Sequence, residues 1–80
     1  MSLAMPSHFS PTNLRALREE AGVTRERLAV ELDRSYPSVA GYERGTTAPP
    51  TQVLEQIATV LGVSPGDLFV DDGQPMEAVL

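Results

Sequence analysis

Apolar residues recur at helical spacings through most of the chain, broken at short intervals by glycine, proline and hydroxyl side chains. Leu14, Leu17 and Ala21 lie three and four apart. Ser10-Pro11 ahead of them is an N-cap followed by proline at the first helical position, and Gly22 is a stop. Thr24 caps a second helix whose stripe is Leu28, Ala29 and Leu32. Ser35 caps a third, with Val39 and Tyr42 facing inward three apart and Gly45 at its end. The Pro49-Pro50 pair cannot continue a helix, so residues 46 to 50 form a loop. A fourth helix follows on Val53, Leu54, Ile57, Ala58 and Leu61, closed by Gly62. Ser64-Pro65 repeats the cap-then-proline signature and predicts a short fifth helix through Asp67, Leu68 and Phe69.

This pattern predicts a compact all-α unit of five helices over residues 10 to 70. It is preceded by a flexible segment, residues 1 to 9, in which Met1 to Ala4 read as a leader ahead of a natural start at Met5. Residues 71 to 80 follow as an acidic tail without periodicity. The tail's Met76, Ala78, Val79 and Leu80 are apolar enough to dock somewhere.

Eighty residues make one small domain, near the size where a single core becomes marginal, and too short for a two-lobed catalytic architecture. No apolar run approaches the roughly 18 residues of a membrane span. There is no cysteine, which excludes disulfides and thiolate zinc sites and fits a reducing, cytoplasmic compartment.

The net charge of −5 is unevenly spread. All six basic residues are arginines (Arg15, Arg18, Arg25, Arg27, Arg34 and Arg44), and six carboxylates balance them between residues 13 and 50. The whole excess of negative charge therefore belongs to residues 51 to 80. A locally positive face can persist beside a tail that repels polyanions. Arginine suits bidentate phosphate contact, although the absence of lysine also follows simply from a GC-rich genome.

The order of caps, helices and stops, and the residues themselves, resemble the phage-repressor type of helix-turn-helix domain, the Cro and Xre class of regulators. The resemblance rests on Leu14-Arg15-Ala16-Leu17-Arg18 with Gly22, Thr24 with Leu28-Ala29, Ser35, Val39 and Tyr42-Glu43-Arg44-Gly45. Pro49, Leu54, Ile57-Ala58, Leu61-Gly62-Val63-Ser64 and Leu68 continue it. It covers about residues 12 to 69, and its strength lies in the joint spacing.

The resemblance implies a lambda-repressor-like fold in which the helix beginning near Ser35 enters the major groove and the helix beginning at Thr24 crosses the backbone. The short connection between them agrees, since two helices so closely joined must cross steeply. By the same resemblance Tyr36, Pro37, Ser38, Ala40 and Gly41 face the bases. Thr24, Arg25, Arg44, Thr46 and Thr47 are the phosphate candidates, and Arg18 and Glu43 form an ion pair tying the first helix to the end of the third. It further implies a cytoplasmic prokaryotic regulator, nucleoid-associated when bound, that acts on double-stranded DNA as a homodimer. Helix five and the C-terminal segment, with Val63, Leu68, Phe69 and Val70, would form the dimer contact.

The chain departs from the family where Arg25 replaces a common glutamine and Asp33 replaces the glycine of the turn. Pro37 is tolerable in the first turn of its helix, and Gly41 inside that helix costs about 1 kcal/mol relative to alanine. Direct base readout leans on Arg, Lys, Asn or Gln, and none stands between Ser35 and Gly41. Tyr36 and Ser38 can each offer a hydrogen bond and Ala40 a methyl contact, so recognition leans on DNA shape and phosphate spacing.

Catalysis and cofactors find no support in the residues. His8 is a lone histidine in the N-terminal segment, the Glu19-Glu20 and Asp71-Asp72 pairs are adjacent rather than convergent, and no nucleophile set or glycine-rich phosphate loop can be assembled. The chain therefore reads as a non-enzymatic, sequence-specific DNA-binding transcriptional regulator, with no cofactor or metal. The competing reading is a protein-interaction or antitoxin-like adaptor that keeps the fold but binds DNA weakly, motivated by the bare recognition helix and the acidic tail.

Overall fold

Three hydroxyl side chains begin three helices. In a computed structural model, which describes residues 7–71, Ser10 Oγ accepts from Asn13 N at 3.0 Å, Thr24 Oγ1 from Arg27 N at 3.0 Å, and Ser35 Oγ from Ser38 N at 3.2 Å. Each such cap satisfies one otherwise orphaned amide and stabilises its helix by about 1 kcal/mol. The helices are α1 (Pro11–Glu20), α2 (Arg25–Leu32) and α3 (Tyr36–Arg44). A fourth, α4 (Thr51–Leu61), starts after Pro50 without a side-chain cap.

Gly45 and Gly62 close α3 and α4 in the left-handed region at φ 81° and 72°. Asp33 closes α2 in the same conformation, at φ 55° and ψ 44°, where its amide donates to Val30 O at 3.1 Å. A short polar side chain tolerates this geometry better than most, at some strain relative to glycine.

The expected fifth α-helix is instead one turn of 3-10 helix, Pro65–Leu68, so the domain has four α-helices. Four residues between a proline and an extended segment cannot close successive i to i+4 bonds. The turn is held by Asp67 Oδ2, which accepts from Ser64 N at 3.1 Å, the acidic half of a capping box.

A second correction concerns the chain ends. Ser7–Phe9 forms β1 and Phe69–Asp71 forms β2, an antiparallel ribbon with Ser7 opposite Asp71, His8 opposite Val70 and Phe9 opposite Phe69. Boundaries at 9/10 and 70/71 therefore cut through a structured element, and residues 7 to 9 belong to the domain. Ser10 N donates to Leu68 O at 2.7 Å, fastening the start of α1 to the end of the 3-10 turn. Of the tail expected over 71 to 80 and the flexible segment expected over 1 to 9, residues 72–80 and 1–6, with the leader at Met1 to Ala4, lie outside the described residues.

The core is the convergence of the predicted stripes. Leu14, Leu28, Val39, Val53, Ile57 and Leu68 are fully enclosed, with Leu32, Tyr42, Leu54, Ala58 and Leu61 around them. Phe9, Leu17 and Phe69 are partly buried against this cluster, whereas Ala21, expected on the α1 stripe, is exposed. Helix α3 packs on α1 and α2, and α4 on α2 and the 3-10 turn. That arrangement leaves the first turn of α3 facing outward.

Candidate nucleic-acid interface

Helix α3 is amphipathic in an unusual way, because its inner face is built partly from small residues. Val39 and Tyr42 point into the core as expected, and Ala40 and Gly41 are also buried. A Cβ on Gly41 would lie 3.2 Å from Thr46 Oγ1 and 3.3 Å from Thr47 Oγ1, so the loop after α3 folds back onto the helix at this point. Thr46 N and Thr46 Oγ1 both donate to Gly41 O, at 3.1 and 3.3 Å. The base-facing expectation for Ala40 and Gly41 is corrected accordingly: both residues are buried, and the lack of a side chain at Gly41 is what lets the Thr46-Thr47 loop approach the helix. Tyr36 and Pro37 are exposed and Ser38 half-buried, so the outward surface is the first turn together with Arg44 at the far end of the helix. Ser38 Oγ lies 3.0 Å from Ser35 Oγ, which orders both hydroxyls at that tip.

The electrostatics of this region turn on Glu43. Its side chain is 2% exposed and is gripped by two arginines. Arg18, itself buried on α1, donates from Nε to Oε2 and from Nη2 to Oε1 at 3.2 Å, and its Nη1 donates to Val23 O at 2.7 Å. The expected pair of Arg18 and Glu43 is thus present as a fork-to-fork contact joining α1, the α1-α2 turn and α3. The third member was not legible in the sequence: Arg25 Nε donates to the same Oε1 at 2.9 Å, and its Nη1 lies 3.4 Å from Tyr36 Oη.

Burial pushes the Glu43 carboxyl upward, but the hydrogen bonds from Arg18 and Arg25 outweigh it and hold the group below the ordinary carboxylate range. Arg25 is driven above its ordinary value, first by its hydrogen bond to Glu43 and then by that to Tyr36. Arg25 therefore divides its guanidinium between an internal anchor and the exposed tip of α3. That placement qualifies its reading as a plain phosphate contact.

The remaining arginines fall into two classes. Arg15 pairs with Glu19 at 3.2 Å and Arg27 with Glu31 at 2.9 Å, both one helical turn apart and exposed. Arg34 and Arg44 are exposed and, among the described residues, have no side-chain partner. A signal for this was present in the sequence. Arg15 and Arg27 have a glutamate four residues on, whereas Arg34 and Arg44 have serine and alanine there. Thr24 keeps its hydroxyl proton available, since the oxygen only accepts from Arg27 N. Thr47 is exposed beside the C-terminal end of α3.

Leu68, expected at a dimer contact, is fully buried in the core, whereas Val70 is 44% exposed and Val63 and Phe69 are half-buried. Among the described residues no group of three or more His, Asp or Glu side chains is placed to hold a metal, and no helix is long and apolar enough to cross a membrane.

Comparison with known proteins places this arrangement. A model of the helix-turn-helix domain family matches residues 12–69. A search of curated proteins finds no significant match. Among solved structures, the restriction-modification controller protein C.AhdI from Aeromonas hydrophila superposes with a TM-score of 0.70 at 32% identity, over 74% of this chain and 89% of that one. The clp gene regulator ClgR from Corynebacterium glutamicum gives 0.70 at 29% identity, over 72% of this chain and 62% of that one. The biofilm master regulator SinR, solved in complex with DNA, gives 0.67 at 27% identity over 72% of this chain and 94% of that one. With more than half of its length matched by the family model and regulators of this type among the structures it resembles, the chain belongs to the helix-turn-helix family of Cro and Xre type regulators.

Proposed function

We propose that this protein is a repressor-like transcriptional regulator that binds a specific double-stranded DNA site by laying the first turn of α3 in the major groove. The observation that carries the proposal is the treatment of charge on α3. In a chain of net charge −5, the one acidic residue of this helix is enclosed and neutralised by Arg18 and Arg25. The outward surface of α3 is left with Tyr36, Pro37, Ser38 and Arg44 and no negative charge. A groove lined by phosphates demands that arrangement; solubility alone does not.

In this reading Tyr36 and Ser38 offer hydrogen bonds to base edges and Pro37 an apolar contact. Thr24, Arg44, Thr46 and Thr47 meet phosphates, joined by whichever donors of Arg25 are not held by Glu43. With so few donors at the base edges, a single domain has little discrimination. Specificity is then expected from two copies on a two-fold site, with half-sites about one helical turn apart. The dimer contact is assigned to exposed Val70 with Val63 and Phe69. Such a regulator would work in the cytoplasm on the nucleoid, without a cofactor.

The test is selection from a randomised duplex pool, followed by titration of the enriched duplex. A palindromic consensus bound at nanomolar to micromolar concentration supports the reading. A pool that stays random, with binding indifferent to Tyr36→Ala and Arg44→Gln, refutes it.

A further inference from the structure

The six arginines are not equivalent, and the difference is spatially ordered. Four are engaged by carboxylates, namely Arg15 by Glu19, Arg27 by Glu31, and Arg18 and Arg25 by Glu43. The two without a side-chain partner among the described residues, Arg34 and Arg44, bracket α3: Arg34 stands immediately before the capping Ser35, and Arg44 is the last residue of the helix. Arg34 is held in place by its backbone, N–H to Ala29 O at 2.9 Å, in the turn set by left-handed Asp33, while its side chain is exposed.

The nine residues of α3, at about 1.5 Å each, span about 13 Å. The major groove of B-form DNA is about 12 Å wide. A helix of that length, with Arg34 just before its cap and Arg44 as its last residue, carries the two exposed guanidinium groups far enough apart to reach phosphates on either side of the groove.

We infer that Arg34 is a DNA phosphate contact, paired in function with Arg44 across the groove, so that the two arginines clamp opposite strands around α3. The inference rests on the DNA-binding reading above. The turn before α3 thereby gains a role in affinity that its position outside both helices conceals. The clamp also supplies what the first turn of α3 lacks, because two phosphate anchors fix the register in which Tyr36 and Ser38 meet the bases.

The test measures salt dependence with the full chain on the duplex enriched by selection, between 50 and 200 mM monovalent salt. Wild type is compared with Arg34→Gln, Arg44→Gln, the double variant, and Arg27→Gln as a control of equal charge change. Loss of one phosphate contact lowers the slope of log K against log salt by about 0.9 per bound protomer. Arg34→Gln and Arg44→Gln should each show that fall and the double variant about twice it, with Arg27→Gln near wild type. Each single variant then loses about threefold less affinity per protomer than wild type across the salt range. Because the Arg34 side chain is exposed, without a partner among the described residues, and its backbone bond survives substitution, the melting temperature should stay unchanged, which separates this effect from unfolding. The inference is overturned if Arg34→Gln behaves like Arg27→Gln while Arg44→Gln shows the fall, an outcome that leaves the DNA reading standing. Wild-type binding without any salt dependence overturns both.

Discussion

Replacing Glu43 by glutamine removes the negative charge on which two arginines converge while keeping the size of the side chain. The consequences for the two are unequal. Arg25 is partly exposed and can turn to water, but Arg18 has a side chain only 9% exposed and would be left as a buried, uncompensated cation. Breaking a buried ion pair from one side destabilises a fold by about 3 to 5 kcal/mol. The lower end applies here, because Arg18 retains its bond to Val23 O and glutamine still offers one acceptor.

An eighty-residue domain has a total stability of about 4 to 12 kcal/mol. A loss of about 3 kcal/mol is therefore a quarter to three quarters of the whole, and lowers the thermal midpoint by about 12 to 24 °C. The assay is urea and thermal unfolding followed by far-UV circular dichroism at pH 7 and pH 3, for wild type, E43Q and the double variant R18M/E43L. The double variant removes both charges and should recover much of the loss.

The sign of the pH effect follows from the direction of the shift. Glu43 is held below its ordinary value in the fold, so its contribution is complete above the unfolded carboxylate value and disappears as pH falls through the folded one. The gap between wild type and E43Q should therefore narrow on acidification below about pH 4. A loss under about 1 kcal/mol in E43Q, or a double variant less stable than E43Q, would refute the view that this carboxylate is the electrostatic centre of the domain.

Three further outcomes are expected. Asp33→Gly relieves a left-handed residue at the end of α2 and should stabilise the domain by about 0.5 to 1 kcal/mol in the same unfolding assay, with DNA affinity retained. Gly41→Ala removes a glycine from a helix interior but crowds the Thr46 and Thr47 hydroxyls; its stability should change by less than about 1 kcal/mol while affinity for the enriched duplex falls measurably, and unchanged affinity would dissociate that loop from binding. Phe9→Ala should cost about 1 to 2 kcal/mol, since Phe9 packs on the core through the ribbon, and a neutral result would mean that β1 contributes nothing to the fold.

What the sequence made legible follows from the range of the interactions involved. The cap of each of the first three helices, the stops at Gly45 and Gly62 and the stripes from Leu14 to Leu61 are written in residues fewer than five apart, and apart from Ala21 they stand where the spacing puts them. The ribbon between β1 and β2 left no such trace, because three-residue strands are too short for a period of two and their pairing joins opposite ends of the chain. The same distinction divides the site. Arg27 and Glu31 announce their contact at i and i+4, but nothing local in Arg25 reports that Glu43, 18 residues on, will accept from it. Ala40 and Gly41 were misplaced because helical periodicity assigns a face and does not tell how far a following loop folds back over it. Arg34 carries no local signal of its placement, because it lies in a turn, where no periodicity applies.

The ribbon has one more consequence. Ser7 meets Asp71 through paired main chains, so the residues between them form a ring closed without a covalent bond. Within that ring the order of the helices along the chain is a matter of where the polymer happens to be cut. A short linker from Asp71 back to Ser7, with the chain opened at the exposed 46–48 loop instead, would leave the ribbon and both halves of the Arg18 and Glu43 lock in unbroken segments, so residues 7–71 are topologically a circle.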